Sequence, residues 1–373
     1  MSMSPSPLLP ILVVELTRGE SPRAPLSIGA RALPSGRSWR GTVSFVRFVA
    51  LRSMVEGFRQ ATRPGTAAPM VSELLLSLGI ELFDACFAPF WEKLRADPRE
   101  EERSHLTIAL ISPELELLNL PWELTRLPGG GPIALEPEVT LFRAIAPAVG
   151  ETGSAVGSIC LERWSEQGRV TPASLLLAAP AEVLRAIGFP SAACSEVATL
   201  PGWPNLFGWA PTDRPPLTEL RDRLCETQAT RLHLCGECRL HRQRGYFFWE
   251  PTGLQEPEPV SGRELVEQVI AGTAVKEVIL SPGREQESLP TAAIAGLCVD
   301  LAAHGAPLAL SWPLFPGEGG AGRAFLLGYY RESLSGTGAG GPALTMAGRQ
   351  VQEKWPSSGV WALPARYSPW PCP

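Results

Sequence analysis

The chain has 373 residues, 45% hydrophobic and 19% charged, with a net charge of −5; it can fill one large core or two ordinary ones and is wrong for a disordered chain. Its excess of acid excludes a surface that coats nucleic acid, because phosphate contact needs clustered Lys and Arg. No apolar run approaches the roughly 20 residues of a membrane span.

The opening Met1-Ser2-Met3-Ser4-Pro5 lacks the basic flank of a secretory signal. The eight cysteines are scattered, mostly in apolar stretches, so the expectation is a cytoplasmic protein with reduced thiols. The 38 prolines and 36 glycines predict irregular connections between regular elements.

In chain order, the largely apolar run Leu8–Leu16 predicts a buried strand. A Pro/Gly/Arg-rich loop separates it from a second expected strand, Thr42–Phe48. Apolar residues then recur at helical spacing from Val71 to Leu94 with a break at Pro89, which predicts two helices or one kinked helix. The charged run Arg95–Arg103 reads as a solvated loop or helix end. Strands are expected at Leu106–Ile111 and Val139–Ile145, on either side of the segment Leu117–Leu124. Residues 147–173, rich in Gly, Ser and Glu, are the best linker candidate. The expected division is a 1–150 N-terminal α+β region, a 151–173 linker and a 174–373 domain, with residues 1–105 read as a layer of the same fold.

Beyond the linker, strands and helices alternate. Strands are expected at Ser174–Ala178, Thr230–Cys235, Val275–Ser281 and Pro307–Trp312. Helices are expected at Leu217–Thr227, Ser261–Ala271, Thr291–His304, Ala321–Ser335 and Ala343–Lys354. Ser261 with Glu264 three residues on is a capping-box pattern. This order implies right-handed crossovers and an α/β fold: a mostly parallel sheet flanked by helices.

Against that frame, Leu120-Pro121-Trp122-Glu123-Leu124 followed by Thr140-Leu141-Phe142-Arg143 resembles the "LPWE…R" hallmark of the CHAT family of caspase-like peptidases, in the clan of caspases and separase. Leu232-His233-Leu234-Cys235-Gly236 is similar to the family strand "LHLxGHG", and Val278-Ile279-Leu280-Ser281 to its "VVLSAC" strand. Ala302–Trp312, Ala324–Leu334 and Trp361-Ala362 match three further segments in order, so the likeness covers roughly residues 105–365. The resemblance implies a caspase-like fold, with the N-terminal part as an α+β layer or a pseudo-caspase-like half.

In the family, the His of "HG" is the general base and the Cys of "SAC" the nucleophile, because only a thiolate attacks a carbonyl well. Here those positions fall on Glu237 and Gly283. Glycine has no attacking atom, and a carboxylate beside a thiol raises the thiol pKa. The resemblance therefore implies no catalytic residue and a pseudoprotease: a regulatory, scaffold or inhibitor subunit. The expected partner is a protein, either an active caspase-like protease or its substrate or effector, in a bacterial defence or regulated-death system. The former groove is expected at His233, Cys235, Glu237, Ser281, Gly283 and Trp312, at the carboxyl ends of the strands. Trp203, Phe207 and Trp209, in the Pro/Gly-rich stretch Gly202–Pro216, are interface candidates.

Three alternatives bear on the same residues. An active cysteine-type peptidase would have to use residues outside the family pattern. Ser281 could be a nucleophile with Glu237 as base, but a lone carboxylate is too weak a base for a hydroxyl. His233, Cys235, Cys238 and His241 offer metal-type ligands, yet structural zinc sites join two separated pairs, so neither zinc nor a Cys235/Cys238 redox role is favoured. No metal or other cofactor is called for. The glycine-rich stretches Gly129–Gly131 and Gly317–Gly322 lack the Lys-Ser/Thr of a phosphate loop.

Overall fold

The computed structural model describes residues 11–21, 23–33, 35–62, 68–95, 105–145, 174–187, 205–209, 217–242, 244–248, 259–284, 290–316, 320–334 and 340–369. The segments expected as a charged loop at 96–103, the linker 151–173 and the side chains of Trp203 and Trp209 lie outside the described residues.

β1 (Ile11–Arg18) and β2 (Leu26–Leu33) pair antiparallel, and β3 (Ser38–Val43) extends that edge. β2 lies in the stretch expected to be loop. Its residues Leu26, Ile28, Ala30 and Ala32 are buried in strict alternation, the period of a strand with one face on the core. Thr42–Phe48 is not one strand. The strand ends at Val43 and Ser44 caps α1 (Phe45–Ala61), its hydroxyl accepting from the Arg47 N–H at 3.3 Å. That bond satisfies one of the free donors of a helix start.

α2 (Ala68–Cys86) and α3 (Ala88–Arg95) are two helices, separated at Phe87 rather than at Pro89. Pro89 sits in the first turn of α3, where its missing N–H costs no helical bond. β4 (Leu106–Ile111), the single turn α4 (Leu115–Leu118), a 3₁₀ turn at Trp122–Leu124 and β5 (Val139–Ile145) complete this half.

The second half runs β6 (Leu175–Pro180), α5 (Ala181–Ile187), β7 (Asn205–Trp209), α6 (Leu217–Thr227), β8 (Arg231–His241), β9 (Arg244–Phe248) and β10 (Pro259–Ser261). It continues with α7 (Gly262–Leu265), extended by a π turn at Val266–Ile270, then β11 (Glu277–Pro282), α8 (Thr291–Ala303), β12 (Ala309–Ser311), α9 (Ala321–Leu334), α10 (Gly340–Lys354) and β13 (Ala365–Pro369). Ser261 and Glu264 form both bonds of the capping box at the start of α7. Gly305, at φ 97°, ends α8 in a conformation that favours glycine. β7 occupies part of the expected surface loop, pairing its Asn205–Trp209 with Leu176–Pro180 of β6.

The protein is a mixed α/β fold with a large, mostly parallel sheet flanked by helices. All described strands join one sheet, built as two parallel blocks. β7, β6, β8, β11 and β12 run one way; β13, β5, β4 and β1 run the other. The blocks meet where β12 and β13 pair antiparallel. No described helix is long and apolar enough to cross a membrane.

The "LPWE…R" segment is a buried clamp that ties the 3₁₀ turn at Trp122–Leu124 to β5. Arg143 on β5 is 1% exposed and forks onto Glu123, Nη1 to Oε1 at 2.5 Å and Nη2 to Oε2 at 2.8 Å. Its Nε donates to the Leu118 carbonyl at 2.5 Å and Nη2 to that of Leu120 at 2.9 Å. The guanidinium also lies 5.5 Å from the ring centroid of Tyr367 on β13. Burial alone would lower the Arg143 pKa, but the Glu123 carboxylate outweighs it and holds the pKa above its ordinary value. Trp122 fixes the turn from the other side, its Nε1–H donating to the Leu117 carbonyl at 2.9 Å.

Candidate functional site

β8 and β11 run side by side, with Cys235 opposite Ser281 and Gly236 opposite Pro282. One residue further on, Gly283 comes against Gly236, its N–H donating to the Gly236 carbonyl at 2.9 Å. The two positions read by resemblance as base and nucleophile, Glu237 and Gly283, are thus near each other, Glu237 in the middle of β8 and Gly283 just past the end of β11. Two arginines flank the Glu237 carboxylate. Its Oε1 accepts from Arg239 Nε at 2.7 Å and its Oε2 lies 3.7 Å from Arg284 Nη2.

Gly236 leaves no room for a side chain, and Gly283 is closely packed. A Cβ on Gly283 would stand 3.0 Å from the Gly236 Cα, and one on Gly236 would stand 2.2 Å from the Phe247 ring. Phe247, on β9, fills the space over Gly236, and these close approaches define the local packing.

His233, Cys235 and Ser281 share one face of the sheet, because residues two apart on a strand point the same way. Among them runs a chain of hydrogen bonds that the residue pattern did not reveal. Tyr330 on α9 bonds to His233 Nδ1. His233 Nε2 lies 2.7 Å from Ser281 Oγ, and Ser281 donates to Cys235 Sγ at 3.1 Å. The directions are self-consistent. Burial raises the Tyr330 pKa well above the ordinary value, so its hydroxyl keeps its proton and donates to Nδ1. Nε2 then carries the ring proton and donates to Ser281, whose own proton points at the thiol.

This is a serine and a histidine within catalytic reach, but with the proton on the wrong nitrogen. The pair is also sealed: His233, Ser281 and Cys235 are all 0% exposed. Burial pushes the His233 pKa down to about 3 and the Cys235 pKa up to about 12. As it stands, the chain of bonds satisfies buried polar groups and presents no nucleophile to solvent.

The other expected residues are dispersed. Trp312 is fully buried, its ring 4.8 Å from that of Phe325 and 6.0 Å from that of Tyr329. Indole at this position therefore packs α9 onto the sheet. Phe207 is half-buried against the core. Cys235 packs with Leu177, Ala179, Val183 and Leu184, whereas Cys238 packs in the separate cluster of Phe247, Ile294 and Leu297. His241 is exposed at the end of β8, and no group of three His, Cys, Asp or Glu suited to a metal occurs among the described residues. Burial raises the pKa of Cys238, which the charge of Glu237 raises further, and of Cys298.

Reading β8 and β11 in parallel register would have placed Ser281 beside Cys235 and within reach of His233. Tyr330 had no such signal, since it arrives from a helix distant in sequence.

No protein-family model matches the chain, and no curated protein matches its sequence. Among solved structures, a match is the Saccharomyces cerevisiae separase–securin complex, with a TM-score of 0.49 and 9% identity. The alignment covers 97% of this chain, which spans 30% of the length of that one.

Proposed function

We propose that the chain is a catalytically inactive, caspase-like pseudoprotease of the CHAT type that acts by binding another protein. The observation that carries this reading is the pair Glu237 and Gly283. They stand at the two positions where the resemblance expects a base and a nucleophile, one neutralised by arginines and the other packed against backbone. The surface around Glu237 and the end of β11 then serves as a recognition surface that does not cut. On the same resemblance, the partner is an active caspase-like protease, or its substrate or effector, in a bacterial defence or regulated-death system, and the protein is a cytoplasmic regulatory, scaffold or inhibitor subunit.

The test is labelling with electrophilic peptide probes against thiols and a fluorophosphonate against hydroxyls. No site-specific labelling is expected, either of the wild type or of the double variant Glu237→His/Gly283→Cys, whose new Cβ must push the Gly236 backbone aside. Hydrolysis by the wild-type protein would refute the proposal.

A second reading is favoured by one contact, the 2.7 Å approach of His233 Nε2 to Ser281 Oγ. A hydrolase of this kind would need the site to open and the histidine tautomer to reverse. Fluorophosphonate labelling that disappears in Ser281→Ala, but persists in Cys235→Ala, would establish it.

A further inference from the structure

Past its pairing with β11, β8 continues into a small antiparallel sheet with β9 and β10. The inner face of this sheet packs on α8. A Cβ on Gly245 would collide with the α8 backbone at Leu297, and Phe247 is fully buried. Burial alternates along β9, so Arg244, Tyr246 and Phe248 lie on the outer face, which solvent reaches. The register sets Arg239 opposite Tyr246 and His241 opposite Arg244 on that same face.

The outer face is cationic, in a protein whose net charge is −5. Glu237 is the one acid in the three strands, and it already lies between Arg239 and Arg284. Arg244, and Arg242 at the hairpin turn, are exposed, and among the described residues neither has an ion-pair partner. Beside them, half-buried Tyr246 and Phe248 form an aromatic floor, with the Arg239 guanidinium 4.8 Å from the Phe248 ring centroid.

The turn carries a second, independent signal. Only two residues separate His241 from its partner Arg244, and hairpin loops of that length favour Asn-Gly because they need positive φ. Arg242 stands there at φ 48°. Backbone strain of this kind clusters at ligand-binding sites, and here it places a cation at the tip of the hairpin.

We infer that this face docks an acidic segment of a partner protein, its carboxylates meeting Arg242 and Arg244 and an apolar side chain lying on Tyr246 and Phe248. The inference rests on the reading of the protein as a binding subunit, since Glu237 belongs to the same face. A short peptide segment fits better than a nucleic acid. Arg239 already occupies the Phe248 ring, so successive rings are not open to stacked bases, and the net negative charge opposes a long polyanion.

Fluorescence anisotropy on the full chain tests this with short labelled peptides: one of Glu and Leu in equal number, a Lys/Leu counterpart and a Glu/Ser counterpart. A labelled oligothymidylate represents nucleic acid. The Glu/Leu peptide is expected to bind saturably, and more weakly as salt rises; the Glu/Ser peptide should bind less tightly and the other two not at all. Arg242→Asn/Arg244→Ser removes two exposed charges and puts a residue that tolerates positive φ in the turn. It should leave the melting temperature unchanged or higher while weakening Glu/Leu affinity roughly tenfold. Tyr246→Ser should weaken the Glu/Leu peptide and leave the Glu/Ser peptide unchanged, and it decides the matter if the double variant fails to fold. No saturable binding of the Glu/Leu peptide, equal binding of the Lys/Leu peptide, tighter binding of oligothymidylate, or unchanged Glu/Leu affinity in either folded variant would each overturn the proposal. Those results leave the pseudoprotease reading standing, whereas hydrolysis of a peptide by the wild type would overturn that reading instead.

Discussion

Replacing Glu123 with Gln isolates the electrostatics of the clamp that joins the 3₁₀ turn to β5. The side chain keeps its shape and one carbonyl acceptor but loses the charge that neutralises Arg143, which is 1% exposed. Arg143 keeps its bonds to the Leu118 and Leu120 carbonyls, so the guanidinium stays hydrogen-bonded but uncompensated. Breaking a buried pair in this way costs about 3–5 kcal/mol. Arg143→Met should cost at least as much, because it strands the Glu123 carboxylate and two backbone carbonyls at once. The double change Glu123→Leu/Arg143→Met removes both charges of the clamp, so neither is left without its partner. It should be less destabilising than the sum of the single changes by about 2–3 kcal/mol. Since a domain's whole stability is only about 5–15 kcal/mol, urea unfolding curves resolve these differences easily. If both single variants lose less than about 1 kcal/mol, or the double variant equals their sum, the clamp is not what holds this segment.

Two further outcomes follow from burial. His233 is held neutral, its pKa pushed down from the ordinary 6.5 to about 3; between those values the unfolded chain takes up a proton that the folded one refuses. Stability should therefore fall as pH drops below about 6.5, by up to about 1.4 kcal/mol per unit, and His233→Gln should flatten that limb in unfolding curves taken from pH 7 to pH 4. A limb of unchanged slope would show that another group controls it. Mass-mapped alkylation of the native protein should modify exposed Cys225 and spare Cys86, Cys235, Cys238 and Cys298, all buried with raised pKa. Rapid native modification of Cys235 would contradict its sealed position.

Much of the fold was legible in the residues because the local signals were strong. Leu106–Ile111, Val139–Ile145 and Leu217–Thr227 are elements with the expected bounds, each an apolar run or amphipathic repeat between clear breaks. The cap at Ser261 and the stop at Gly305 followed from local chemistry alone. Elements with weak local signals were not legible: β13 (Ala365–Pro369) is short and ends in proline, and β7 lies in a stretch rich in Pro and Gly. Neighbours across the sheet make both of them strands.

Sequence by itself determined the alternation of strands and helices, since that depends on residue identity and spacing along the chain. Only the tertiary structure decided that His233 meets Ser281 and Tyr330 and that Arg143 closes on Glu123. Those facts depend on strand register and on helices packing across the sheet, where residues far apart in the chain become neighbours and local pattern carries no information about who faces whom.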